Sequence, residues 1–240
     1  MGKVRSFKLT PGTRVGNYRV LENMGRGWEG EVYKVSEVPT ESVRALKLFR
    51  TKELETIRHF VHFAWYYEKL RSSGSVPIYY HYGQWFLDDD DGCWFLVFEF
   101  VPGKKLKEVR HTSKLFFNIA LAMARVHCLG YAVGDLSTLT NIIIRESDGQ
   151  PVFVDCDPGE PDHPNVDFES DCTIELQKMA KTMFPKVANQ RVASLLKQLS
   201  LCNRFTKNTL SNTLSRFVNA EAGKPNIIRG RITSCDSTFT

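Results

Sequence analysis

The chain has 240 residues, 42% hydrophobic and 25% charged, with a formal net charge of +5 at pH 7. That is enough for one good-sized core or two small lobes, in the balance of a soluble globular protein. The basic residues are spread along the chain rather than clustered with aromatics, which argues against nucleic-acid binding, and no apolar run approaches the ~20 residues of a membrane span.

The six cysteines (Cys93, Cys128, Cys156, Cys172, Cys202, Cys235) form no Cys-x-x-Cys pair and no zinc spacing. With no secretory signal in the sequence, a reduced, cytoplasmic protein is expected. Residues 1–15 read as a basic lead-in with Pro11-Gly12 near its end. Its first six residues, Met1-Gly2-Lys3-Val4-Arg5-Ser6, match the N-myristoylation pattern, which is short and has many chance matches.

Tyr18, Val20 and Met24 mark one strand, and Val32 and Val35 the next, by alternation and β-branching. Between them Gly25, Gly27 and Gly30 follow the pattern G-x-G-x-x-G-x-V. A side chain at such a glycine would keep backbone N–H groups from phosphate oxygens. A helix after Gly30 would suggest a dinucleotide fold, but the β-rich sequence there favours a hairpin covering a nucleotide. An ordinary glycine-rich turn is the other reading of these glycines taken alone. The next strand, Val43 to Phe49, puts Val43, Ala45, Lys47 and Phe49 on one face. A lysine on an apolar face needs a partner, because an unpaired buried ammonium is costly.

An apolar run from Phe60 to Leu70 predicts a helix that carries Glu68. The acidic run Asp88 to Asp91, followed by Gly92, reads as a solvated turn between strands and lacks the alternating spacing of a calcium loop. Ser113 to Cys128 predicts a helix with Leu115, Ile119, Met123 and Val126 as its core stripe. The loop Asp135 to Asn141 then pairs an acid with an amide. A second acid, Asp155, follows Asn141 by 14 residues at the end of the apolar strand Val152-Phe153-Val154. These groups suit holding Mg²⁺ on a nucleotide and turning a hydroxyl toward its terminal phosphate. Further helices are expected over 171–184, 192–199 and 209–218, and a flexible tail follows.

On these residues the chain resembles a protein kinase of the compact bacterial or atypical Ser/Thr type, from about Gly12 to about Phe217. The resemblance implies an α+β, two-lobed fold. An antiparallel β-rich N-lobe would span 16–101 and a shortened helical C-lobe 102–218, with the tail at 219–240. Gly25, Gly27 and Gly30 match the phosphate-covering loop, and Val32 and Ala45 the nucleotide-facing positions beside it. Lys47 matches the strand lysine that meets the α- and β-phosphates. Leu96 to Gly103 resembles the strand and hinge between the lobes. Phe98 is then the gatekeeper, and the backbone of Glu99 and Val101 meets adenine. Asp135 matches the catalytic acid, and Asn141 and Asp155 match the metal ligands. Asp171 resembles the acid that braces the catalytic loop, and Arg204 a late C-lobe arginine. Glu68 is the expected helix partner of Lys47; a solvent-facing glutamate is the competing reading.

The departures are informative. Val133-Gly134-Asp135 stands where the family has His-Arg-Asp, so no arginine is there to receive an activation-loop phosphate. Ser137 replaces a common lysine, as in RIO-type kinases. Asn141 follows Asp135 by six residues, one more than usual, and Asp155-Cys156-Asp157 replaces Asp-Phe-Gly. The segment from Asp155 to Asp171 is short and rich in proline and acid, and it lacks Ala-Pro-Glu. The resemblance implies an ATP-dependent phosphotransferase that uses Mg²⁺ and passes the γ-phosphoryl group to a Ser/Thr hydroxyl of a protein. The alternatives are a small-molecule kinase and a pseudokinase that binds without turnover.

Overall fold

Alternating side chains build the first hundred residues into a single sheet. The computed structural model describes residues 6–27, 29–50, 55–86, 92–134, 136, 139–157, 175 and 178–181. They fall into two compact units, one up to Pro102 and one from Gly103.

In the first unit the strands are β1 (Arg14–Val15), β2 (Tyr18–Arg26), β3 (Gly30–Glu37), β4 (Val43–Phe49), β5 (Tyr79–Phe86) and β6 (Gly92–Glu99). They form one antiparallel sheet in the order β1-β2-β3-β4-β6-β5. Residues directly opposite in such a sheet share a face. Tyr33 therefore lines up with Leu46 and Val97, and all three are fully buried in the core of one face. Val32 lines up with Lys47 and Leu96, and Lys34 with Ala45 and Phe98, on the other face.

Helix α1 (Glu55–Leu70) covers that second face. Phe60 stacks edge-on to Phe49 at 4.5 Å between ring centres and lies against Trp94 at 5.6 Å, while Tyr67 meets Phe98 at 4.7 Å. Its buried positions Phe60, Ala64, Tyr67 and Leu70 follow the spacing of one helix face.

The first face is covered from an unexpected direction. Residues 6–15 are part of this unit rather than a lead-in ahead of it. Phe7 and Leu9 pack on the core, and Phe7 also meets the Trp85 ring at 6.4 Å. The backbone is tied in by Gly12 N–H to Val20 O (2.8 Å) and Val20 N–H to Thr13 O (2.9 Å). A sheet face this apolar has to be covered, and the two alternate hydrophobic residues of the segment cover it.

The second unit begins with β7 (Gly103–Lys105) and a 3-10 turn, Leu106–Glu108. Helix α2 (Ser113–Cys128) has the bounds the sequence predicted. Thr112 caps it by accepting a bond from the Leu115 N–H at 3.1 Å, a contact worth about 1 kcal/mol. Phe116, Ile119, Met123 and Val126 are buried, with Leu115 half-buried beside them. Strands β8 (Ile142–Arg145) and β9 (Pro151–Phe153) complete an antiparallel sheet in the order β7-β8-β9. Of the helix expected over 171–184, residues 175 and 178–181 are helical.

Residues 1–5, the acidic run 88–91, Asp135, Ser137, the proline-rich stretch 158–170, Asp171, the helices expected at 192–199 and 209–218, Arg204 and the tail lie outside the described residues. No described helix is long and apolar enough to cross a membrane.

Candidate functional site

The glycine pattern sits where β2 turns into β3. Its tip is closed by Gly27 N–H to Gly30 O at 2.9 Å and fastened to the end of β4 by Arg50 N–H to Glu29 O at 2.9 Å. The Arg50 guanidinium also donates to Gly27 O at 2.9 Å. Gly30 has no room for a side chain, because an added Cβ would run into the Leu48 carbonyl. The hairpin can lie this close to β4 because that position is glycine.

Lys47 projects from the α1-covered face of β4 and forms an ion pair with Glu29 Oε2 at 2.7 Å. Its ammonium also stands over two rings, 4.9 Å from the centre of Phe49 and 5.8 Å from that of Phe63 on α1. The expected Glu68 pairing is corrected here. Glu68 is about half exposed and forms an ion pair with Arg71 at 3.9 Å. The reason is helix phase: Glu68 falls on the outward face with Val61 and Trp65, at i, i+4, i+7 spacing, while α1 turns Phe63 toward the lysine. The glycine hairpin brings an acid to Lys47 through Glu29.

Two residues beyond Glu29, Glu31 is buried on the opposite face with only 1% exposed. Arg50 Nη2 donates to its Oε1 at 2.8 Å, Ser6 Oγ at 2.7 Å and Phe7 N–H at 3.1 Å. The Tyr33 hydroxyl donates to its Oε2. Burial pushes this carboxyl up, but the bonds from Tyr33, Ser6, Arg50 and Phe7 outweigh it and hold its pKa down at about 2. Burial, and then the carboxylate beside it, push the Tyr33 hydroxyl up to about 12. Nothing in the sequence pattern singles out Glu31, since an acid between Gly30 and Val32 reads as a solvent-facing strand residue.

Phe98 is buried between Tyr67 and Tyr79. The Glu99 N–H is bonded to Ile78 O at 2.8 Å, and its carboxylate accepts the Ile78 N–H at 3.2 Å. The Glu99 N–H is therefore already engaged within this unit. Val101 is buried beyond it.

In the second unit, Ile142 lies opposite Phe153, and Val154 N–H donates to Asn141 O at 2.9 Å. This hairpin register brings Asn141 and Asp155 to the same end of β8 and β9. Asp155 is exposed, and the Asn141 side-chain oxygen accepts a bond from Thr140 Oγ1 at 3.2 Å. One amide oxygen and one carboxylate are hard donors of the kind Mg²⁺ takes alongside substrate phosphates. The described residues contain no cluster of three or more His, Cys, Asp or Glu side chains that could hold a metal without such help.

The loop before Asp135 is braced from two sides. Val133 O accepts the Asp157 N–H at 3.3 Å. The Gly134 N–H donates to Glu175 Oε1, and Glu175 Oε2 is 2.7 Å from His127 Nε2 in a buried contact. Gly134 has φ +92, and a Cβ there would collide with the Asp157 backbone. The missing arginine of the kinase pattern thus has a local cause: only glycine fits this turn. Asp171 lies outside the described residues, and the carboxylate that reaches Gly134 is Glu175, four residues on. That spacing on one helix was the available signal.

No family model and no curated protein matches the chain. Solved structures do. The apo form of PpkA-294 superposes with a TM-score of 0.60 over 90% of this chain and 99% of its own, at 14% identity. The kinase domain of PknI from Mycobacterium tuberculosis gives 0.58 over 88% of this chain and 100% of its own, also at 14% identity.

Proposed function

The chain has an α+β, protein-kinase-like fold, and from that premise we propose that it is an ATP-dependent phosphotransferase acting on Ser/Thr hydroxyls of a protein. The observation that carries this reading is that each of the two units is equipped for it. One bears a glycine hairpin fastened over a strand lysine, and the other bears Asn141 and Asp155 side by side at a strand end.

Lys47 neutralises charge on the α- and β-phosphates. Val32, Ala45 and Phe98, on the same sheet face as Lys47, bound the base, and the hinge backbone at Glu99 and Val101 meets its edge. Asn141 and Asp155 hold Mg²⁺. Held there, Mg²⁺ would supply positive charge that offsets the charge of the phosphates. Asp135 orients the acceptor hydroxyl and takes its proton as the new O–P bond forms and the bond to ADP breaks. Gly134, held by Glu175 and His127, fixes the start of that loop. Most of the acceleration comes from positioning and electrostatics.

A second reading, a pseudokinase, is favoured by one observation: Glu68, the helix acid expected on Lys47, is about half exposed and pairs with Arg71. Calorimetry with ATP, with and without Mg²⁺, followed by assay of the nucleotide separates the two. The phosphotransferase binds ATP more tightly with Mg²⁺ and converts it to ADP when acceptor is present. The scaffold returns it intact. A small-molecule kinase would turn over without any protein acceptor.

A further inference from the structure

We propose that Ser6 is a phosphorylation site, and that a phosphoryl group there releases the strap formed by residues 6–9 and loosens the glycine hairpin through Glu31 and Arg50. The inference rests on the proposed function only in its effect on nucleotide binding.

The strap is joined to the hairpin by an unbroken line of contacts. Ser6 Oγ and Phe7 N–H donate to Glu31 Oε1, at 2.7 and 3.1 Å. Leu9 N–H donates to the Tyr33 hydroxyl at 3.4 Å, and that hydroxyl donates on to Glu31. Glu31 holds Arg50 at 2.8 Å, and Arg50 holds Gly27 O at 2.9 Å. Glu31 is thus shared between the strap and the cation that pins the hairpin tip. If Ser6 and Phe7 withdraw, this buried carboxylate loses two of its four donor groups, and water enters around the Arg50 pair.

The strap is also poised to leave. Lys8, in its middle, has φ +48, a left-handed conformation that non-glycine side chains rarely adopt. Docking holds that strain, and release relieves it. The anchors on the other side of the balance are a few hydrogen bonds and the Phe7 and Leu9 side chains.

Phosphorylation tips this balance by charge. A phosphoryl group passes from a nucleoside triphosphate to Ser6 Oγ: the Oγ–P bond forms, the bond to the nucleoside diphosphate breaks, and the hydroxyl proton is lost. The donor that bonded Glu31 becomes an anion facing a buried carboxylate. In the released strap the same phosphate has Arg5 and Lys8 for neighbours in sequence. One state is penalised and the other stabilised, so the equilibrium moves toward release.

The test uses the full chain with phosphoserine introduced at position 6 during translation, beside the unmodified chain and Ser6→Ala. Amide hydrogen exchange is followed at residues 25–30 and, as an internal reference, at 44–48 and 95–99. Phosphoserine is expected to speed exchange in the hairpin by about tenfold or more and leave the reference strands unchanged, with a much smaller effect of Ser6→Ala. Unchanged hairpin exchange overturns the inference. So does an equal rise in all three segments, which would be general destabilisation. Mg-ATP affinity is measured on the same samples, and a severalfold loss is expected with phosphoserine. If no sample binds Mg-ATP while the hairpin loosens, the strap coupling stands and the proposed function falls.

Discussion

Glu29 and Glu31 stand two residues apart in the glycine hairpin, and each faces a cation from the end of β4. Glu29 is 36% exposed, and its partner Lys47 is walled by Phe49 and Phe63. Glu31 is buried, and its partner Arg50 is joined by Tyr33, Ser6 and Phe7. A half-solvated pair of the first kind is worth about 0–1 kcal/mol and can be exchanged for another anion at little cost. A buried pair of the second kind cannot lose one member without stranding the other. On the proposed function, the difference separates a cation that would trade Glu29 for a phosphate from one that holds the hairpin in place for that trade.

The largest effect is expected where the comparison meets chemistry. Lys47→Met should lower phosphoryl transfer on the order of 10³-fold while leaving the urea midpoint nearly unchanged. A large loss of stability with little loss of rate would place the lysine among structural residues. Next comes Glu31→Ala, expected to cost about 3–5 kcal/mol in urea unfolding, because it removes the buried carboxylate that Arg50 and Tyr33 share.

The same residue makes a pH prediction. The folded state lowers its pKa from an ordinary 4.5 to about 2. Its contribution to stability is therefore fully present above about pH 4.5 and is lost as pH falls toward 2. Tyr33, which faces it and is raised to about 12, stays neutral across that window. Acid unfolding of wild type should steepen across that window, and Glu31→Gln should flatten it. An unchanged profile would remove Glu31 from the account.

Glu29→Gln is expected to change stability by less than about 1 kcal/mol and to tighten Mg-ATP binding by up to about fivefold, by removing a competing anion from Lys47. Weaker binding and slower turnover would instead make Glu29 a positioning residue for the lysine. The smallest effect belongs to Glu68→Ala, which should be neutral within about 0.5 kcal/mol and silent in activity. A substantial loss of activity would restore the helix pairing that the geometry replaces.

The elements were legible where pattern and spacing are local. Alternation gave β2 to β4, a 3.6-residue stripe gave α2, and the glycines stand at the turn their spacing implied. The need of Lys47 for a partner was legible too, but the partner was not. Sequence distance favours a helix acid, whereas the phase of α1 turns Glu68 outward and the hairpin brings Glu29 in from 18 residues upstream. Residues 6–15 read as a basic lead-in because their polar composition hides the two apolar side chains that cover the sheet. Glu31 was invisible for a related reason. Three of its four donors come from 24 and 25 residues before it and 19 after it, and no local pattern encodes such a meeting. Glu175 stands four residues after the acid that the resemblance favoured.

The central claim is that Asp155 and Lys47 serve phosphoryl transfer from Mg-ATP. It is tested most directly by intact mass after incubation with Mg-ATP and a Ser/Thr-containing protein acceptor, for wild type beside Asp155→Ala. The account predicts mass gains in steps of one phosphate for wild type and none for the variant. ATP bound by wild type but left intact, with no phosphate on either protein, would contradict it and leave a binding module.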